Sequence, residues 1–140
     1  MLLQLTVATV MVLITVIVHG AGIAGLGRLL RLESYQEHVS HLPPMSTRSL
    51  IFTLALVLCL FTLHGVEIWL YAALYVLVDA VPHLETGVYF STITYGGIGF
   101  TDNYLDPDWR LVAAIEGVNG VLLLGWSTAF FVAVISRLGR

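Results

Sequence analysis

Between residues 94 and 102 the chain reads Thr-Tyr-Gly-Gly-Ile-Gly-Phe-Thr-Asp. Glycine tolerates backbone torsions closed to other residues, so carbonyl oxygens around Gly97 and Gly99 can turn toward one axis and replace a cation's hydration shell. A second kind of chemistry lies in acids placed within apolar runs. Glu67 shares a helical face with His64, Tyr71 and Tyr75 at spacings of three or four, and Glu116 sits in a later apolar run. Ionisable groups in such surroundings are functional candidates by default. Each acid has two readings: it faces a water-filled path and attracts cations, or it hydrogen-bonds a neighbouring helix from behind and braces it. His38 and His41, beside Glu37, have a spacing a metal can use, but two ligands in a polar linker read more simply as solvated side chains. His83 is the one histidine near the acidic loop described below, where it could confer pH sensitivity. The sequence holds no nucleophile–base pair, phosphate loop or basic patch, so neither an enzyme, a cofactor, a small-molecule substrate nor a nucleic-acid partner is expected.

The elements that must position these residues follow from composition. Of 140 residues, 58% are hydrophobic and only 11% charged, against roughly 25% charged in ordinary soluble domains. At this size lipid must be the solvent for much of the chain. Three stretches reach the ~20 apolar residues that a bilayer crossing requires. They are Met1 to Val18, about Leu50 to Val78, and about Leu111 to Ile135, the last preceded by Asp-Pro-Asp-Trp, which suits a helix start. The first lacks the basic start and short apolar core of a signal peptide and reads as a retained helix. Gly20 to Arg48 reads as a linker, glycine-rich at first, then polar and helix-like, then broken by Pro43 and Pro44. The single cysteine, Cys59, excludes an intrachain disulfide.

Charge sets an expected orientation. The sequence has no lysine; Arg28, Arg31 and Arg48 lie between the first two spans, and Arg137 and Arg140 follow the third. The positive-inside rule makes that side cytoplasmic, with the N-terminus outside. The outer loop then holds Asp79, Glu85, Asp102, Asp106 and Asp108 against Arg110, a local balance of −4 that concentrates cations. Within it, Glu85 to Tyr95 reads as a helix too short to span, followed by the glycine segment. Non-helical backbone at membrane depth is tolerated where it is protein-buried or lines a water-filled path.

Tyr89-Phe90-Ser91, the glycine segment, and Pro107-Asp108-Trp109-Arg110 before the last span together resemble the pore region of the two-transmembrane-type potassium channel superfamily, small bacterial members above all. The resemblance covers about Arg48 to Arg140. It implies a filter at Gly97, Ile98, Gly99, Phe100 and Thr101, followed by Asp102, where the family has Thr-Val-Gly-Tyr-Gly-Asp. Ile98 and Phe100 are conservative replacements. Gly97 removes a threonine hydroxyl from the innermost site, and Thr101 replaces an outer glycine that the family holds in a left-handed conformation. Cyclic-nucleotide-gated cation channels, which discriminate poorly among monovalent cations, also have threonine there. A second register, Thr92 to Gly96, fits less well because it puts threonine at the central glycine and shortens the pore helix.

The expectation is therefore an all-α integral membrane protein with three transmembrane helices, a re-entrant pore helix and a filter loop. Residues 1–47 form an N-terminal helix and cytoplasmic linker; residues 48–140 form the pore domain, with outer helix 48–78, pore helix 85–95 and inner helix 109–136. One pore loop cannot enclose a path, so the resemblance implies a homotetramer in the cell membrane, a bacterial inner membrane by that likeness, surrounded by lipid. Potassium would bind the carbonyls of Gly97, Ile98, Gly99 and Phe100, with Asp102 and Glu85 at the outer mouth. Glu116, Asn119, Gly120 and Ser127 share one face of the last span and are the expected pore-lining residues. Gly117, Gly120 and Gly125 are candidate hinges, or small residues that let helices approach. The rival expectations are a nonselective monovalent cation channel and a non-conducting membrane protein that keeps the fold.

Overall fold

A computed structural model of the protein describes residues 1–31, 47–99 and 103–138. The described chain is helical: α1 Leu2–Arg31, α2 Thr47–Leu77, α3 Leu84–Tyr95, a 3-10 turn Pro107–Trp109, and α4 Arg110–Leu138. Among the described residues three stretches are long and apolar enough to cross a membrane, Leu2–Leu30, Thr47–Leu77 and Pro107–Ser136. α3 has 12 residues, about 18 Å at 1.5 Å per residue, and cannot. Helix is what lipid demands, because every backbone N–H and C=O must find a partner within its own segment. Hydroxyls on the outward faces obey the same rule. Thr6, Thr9, Thr62 and Thr128 each donate to the carbonyl four residues back.

The first helix is longer than its hydropathy suggests. It was expected to end at Val18 with a glycine-rich linker from Gly20, yet α1 runs unbroken through Gly27 to Arg31. The reason is close packing, the usual service of small residues between membrane helices. A β-carbon on Gly22 would lie 2.6 Å from Leu63 Cδ1, and one on Gly20 would lie 3.4 Å from the Trp126 ring. His38, His41 and the rest of the polar linker, 32–46, lie outside the described residues, as does Arg140.

Contacts along α1 fix its direction. The Gln4 side chain donates to the Asp108 carbonyl near one end, Asn119 reaches Thr15 in the middle, and Gly27 lies beside Phe130 near the other. α1 is therefore parallel to α4. Against α2 it is antiparallel, since His19 meets Glu67 while Gly22 meets Leu63. The N-terminus consequently shares a side with the connection from α2 to α4.

That connection starts with a sharp stop. Asp79, at φ 53°, takes the left-handed position after α2; its N–H donates to Val76 O (3.2 Å) and the Ala80 N–H to Tyr75 O (2.8 Å). This is the paired-bond helix ending that usually selects glycine, and aspartate is among the few other residues that accept it. Below the stop lies the core: Ala8 and Met11 of α1, Tyr71 and Tyr75 of α2, Ala80, Val81, Phe90 of α3, Leu105, and Val112 and Ala113 of α4. On the return, the Asp106 N–H donates to Ala80 O (3.0 Å), and its carboxylate accepts from the Asp108 N–H (2.8 Å) to start the turn into α4.

Candidate functional site

α3 lies in the angle between α2 and α4, held on two sides. Gly87 permits the approach to α2, since a β-carbon there would stand 3.1 Å from the Ala72 carbonyl. One turn on, Ser91 Oγ lies 3.1 Å from the Ile68 carbonyl, and Phe90 packs edge-on against Tyr75 with ring centres 5.5 Å apart. On the α4 side, Gly117 and Gly120 face the end of α3. A β-carbon on Gly120 would come within 2.2 Å of the Tyr95 carbonyl oxygen, and one on Gly117 within 3.3 Å of that of Thr94. These two glycines are contact surfaces for the short helix. Gly125 has nothing within 4 Å.

α3 ends in a tight reversal that delivers the glycine segment. Gly97, at φ +66°, occupies the left-handed position; its N–H donates to Thr94 O (3.1 Å) and that of Ile98 to Ile93 O (3.0 Å). The pattern repeats the ending of α2. It also accounts for the departure at this position, because threonine there would carry a β-branched side chain at positive φ. Gly99 follows at φ +144°, its N–H also on Ile93 O (3.2 Å). Gly96, Gly97, Ile98 and Gly99 are all exposed, Ile98 to 77%. Thr92 to Tyr95 are helical, so the second register forms no loop. Phe100, Thr101 and Asp102 lie outside the described residues. Glu85 is exposed in the first turn of α3, at the opposite end of that helix from Gly97.

The polar face of α4 turns inward, which differs from the expected pore-lining stripe. Glu116, Asn119, Gly120 and Ser127 are buried within the chain. Glu116 is fully buried; its Oε2 accepts from Tyr75 OH (2.5 Å) and its Oε1 from Ser91 Oγ (2.5 Å), tying α4 to both α2 and α3. Asn119 Nδ2 donates to Thr15 Oγ1 (2.8 Å) and to Tyr71 OH (3.3 Å). Of the two readings of Glu116, this geometry fits the brace. The physical reason is that the stripe finds its partners inside the chain: Tyr75 and Ser91 for Glu116 and, from α1, Thr15 for Asn119 and His19 for Ser127.

Below the end of α3 those partners close a ring of five side chains from four helices. His19 Nδ1 lies 2.9 Å from Glu67 Oε1, and His19 Nε2 lies 3.3 Å from Ser127 Oγ. Ser127 Oγ is 2.9 Å from His64 Nε2, and His64 Nδ1 is 2.9 Å from Tyr95 OH. Tyr95 OH donates to Glu67 Oε2 and completes the circuit. All five residues are buried. Sequence reasoning placed Glu67 and His64 on one face but missed His19 and Thr15. His19 is an ionisable residue in an apolar helix, which is signal enough, but it falls one residue beyond the expected helix end. Thr94 Oγ1, beside Gly117, is buried without a hydrogen-bond partner among the described residues.

A family model described as ion channel matches residues 50–137, which span nearly all of α2 and α4 and the whole of the short helix with its glycine reversal. The chain belongs to that two-transmembrane-type ion-channel family. No curated protein and no solved structure matches it. For an ion-channel chain the pieces take on order: α2 and α4 are the two membrane helices of the family unit, α3 is the short helix between them, and α1 precedes the matched region. Family and helices together make this a membrane transport protein.

Proposed function

We propose that this ion-channel chain assembles as a homotetramer in the cell membrane and conducts potassium through a filter formed by Gly97 to Thr101. One observation carries the reading: a short helix, braced from behind by Glu116 and the five-residue ring, ends in an exposed glycine reversal between two membrane-crossing helices. Exposed backbone and a bare Ile98 make sense where further copies of the chain close around an axis. The carbonyls of Gly97, Ile98, Gly99 and Phe100 coordinate the ion, and Asp102 and Glu85 make the outer surface attractive to cations. The N-terminus lies outside, the C-terminus in the cytoplasm, and lipid covers the remaining apolar surface. A β-carbon on Gly97 would stand 3.3 Å from Val121 Cγ2, so the α4 stripe that continues from Val121 through Gly125 and Thr128 to Val132, all exposed, lines the path beneath the filter. A second reading, a nonselective monovalent cation pore, is favoured by Gly97 itself, because a glycine in a helix-ending turn brings no hydroxyl to the innermost site.

The test is reconstitution in liposomes with potassium on one side and sodium on the other, with the mass of the solubilised assembly measured alongside. A reversal potential close to the potassium equilibrium value and the mass of four chains are the expected results. Current that reverses near zero selects the nonselective pore. A monomer, or a tetramer that passes no current, supports the non-conducting reading.

A further inference from the structure

The five-residue ring has the donors and spacing of a metal site. His19, His64 and Glu67 each offer one ligand atom, and the three atoms lie within 4.8 Å of one another. Both imidazole Nδ1 atoms flank the carboxylate, at 2.9 Å from Oε1 and 3.3 Å from Oε2. Tetrahedral zinc with bonds of 2.0–2.1 Å separates its ligand atoms by about 3.3 Å, so small side-chain shifts suffice to admit the ion. Two imidazoles and one carboxylate suit zinc and its neighbours in the first transition row, whereas calcium and magnesium prefer oxygen throughout. Tyr95 OH lies on the carboxylate side, against His64 Nδ1 and Glu67, while Ser127 Oγ holds both imidazoles from their Nε2 atoms.

Counting hydrogens strengthens the case. The ring has five contacts, and each needs one hydrogen. Tyr95, Ser127 and two neutral imidazoles supply one apiece, while a carboxylate supplies none. With its ligands in the form that binds metal, the ring is one hydrogen short and carries an uncompensated charge in a buried place, which is costly. A divalent cation at the centre takes up the lone pairs that lack a hydrogen and, with one further anionic ligand such as hydroxide, balances the charge.

We propose that His19, His64 and Glu67 form a binding site for a divalent transition metal, zinc foremost, which clamps α1 to α2 at the foot of the pore helix. The site is independent of which ion the pore conducts. Its position makes it regulatory: Tyr95 belongs to the ring and immediately precedes Gly96 and Gly97, so metal binding rearranges contacts at the base of the glycine reversal.

The experiment uses the full chain in detergent, without a polyhistidine tag, stripped with chelator and titrated with zinc and separately with cobalt. One zinc per chain is expected, and the cobalt form should show the visible absorption of a tetrahedral centre. His19→Ala and His64→Ala should each weaken zinc binding by at least about tenfold, the lower end of what loss of an outer-shell partner alone costs. His83→Ala, at the exposed start of α3, should leave it unchanged. Wild-type protein that retains no zinc at micromolar free metal overturns the proposal, whether or not the variants fold. Equal binding by wild type, His19→Ala and His64→Ala overturns it as well, and leaves the ring held by a proton alone.

Discussion

Glu116 shows how one side chain can hold a membrane protein's interior together. Both of its oxygens are occupied, by Tyr75 and Ser91, and the side chain is fully buried. Glu116→Ala strands the buried Tyr75 hydroxyl, at about 1–3 kcal/mol, and leaves Ser91 Oγ only the Ile68 carbonyl; the melting temperature of the detergent-solubilised protein should fall by several degrees. Glu116→Gln, which keeps an oxygen and the shape, should fall less. Gly97 tests a different force. Alanine there must adopt φ +66°, a left-handed conformation that costs roughly 1–2 kcal/mol, with Val121 close by. The expected outcome is an assembly of unchanged mass whose current is reduced or absent, since the strain is confined to the reversal. Such residues were legible to different degrees. The exceptional acids and glycines were visible in the sequence, because each violates the apolar pattern around it. Which way Glu116 points was not, since that depends on Tyr75 and Ser91, which the fold brings to it from two other helices.

Among the elements, the four α-helices of the described residues differ in what fixes them. α2 and α4 were readable as spans from hydropathy, and α3 from its length and its glycine ending. The end of α1 was misjudged because glycines mark loops in water but close contacts in lipid, and Gly22 beside Leu63 is such a contact. The same distinction separates the glycines of α4. Gly120→Ala drives a methyl group into the Tyr95 carbonyl, a backbone atom that cannot step aside; overpacking of this kind costs typically 1–3 kcal/mol. Loss of thermal stability and of current should follow together. Gly125→Ala meets nothing and should keep the parent melting temperature to within a degree or two. Equal behaviour of the two variants in a melting scan would refute the packing described for α3 and α4.

At the scale of the whole molecule, the family unit and the protein have different edges. The matched region begins at residue 50, yet Asn119, Glu67 and Ser127 find partners on α1, outside it. A chain trimmed to residues 47–140 loses Thr15 and His19 together. Several buried polar groups are then left facing lipid, at about 1–3 kcal/mol each. Expressed alone, that piece should aggregate or melt well below the full chain, and co-expression with residues 1–31 should restore it. The parallel run of α1 beside α4 thus makes the pore unit dependent on a segment its relatives are not defined by. The helix that looks like an addition completes the interior of the unit it precedes, through Thr15 and His19.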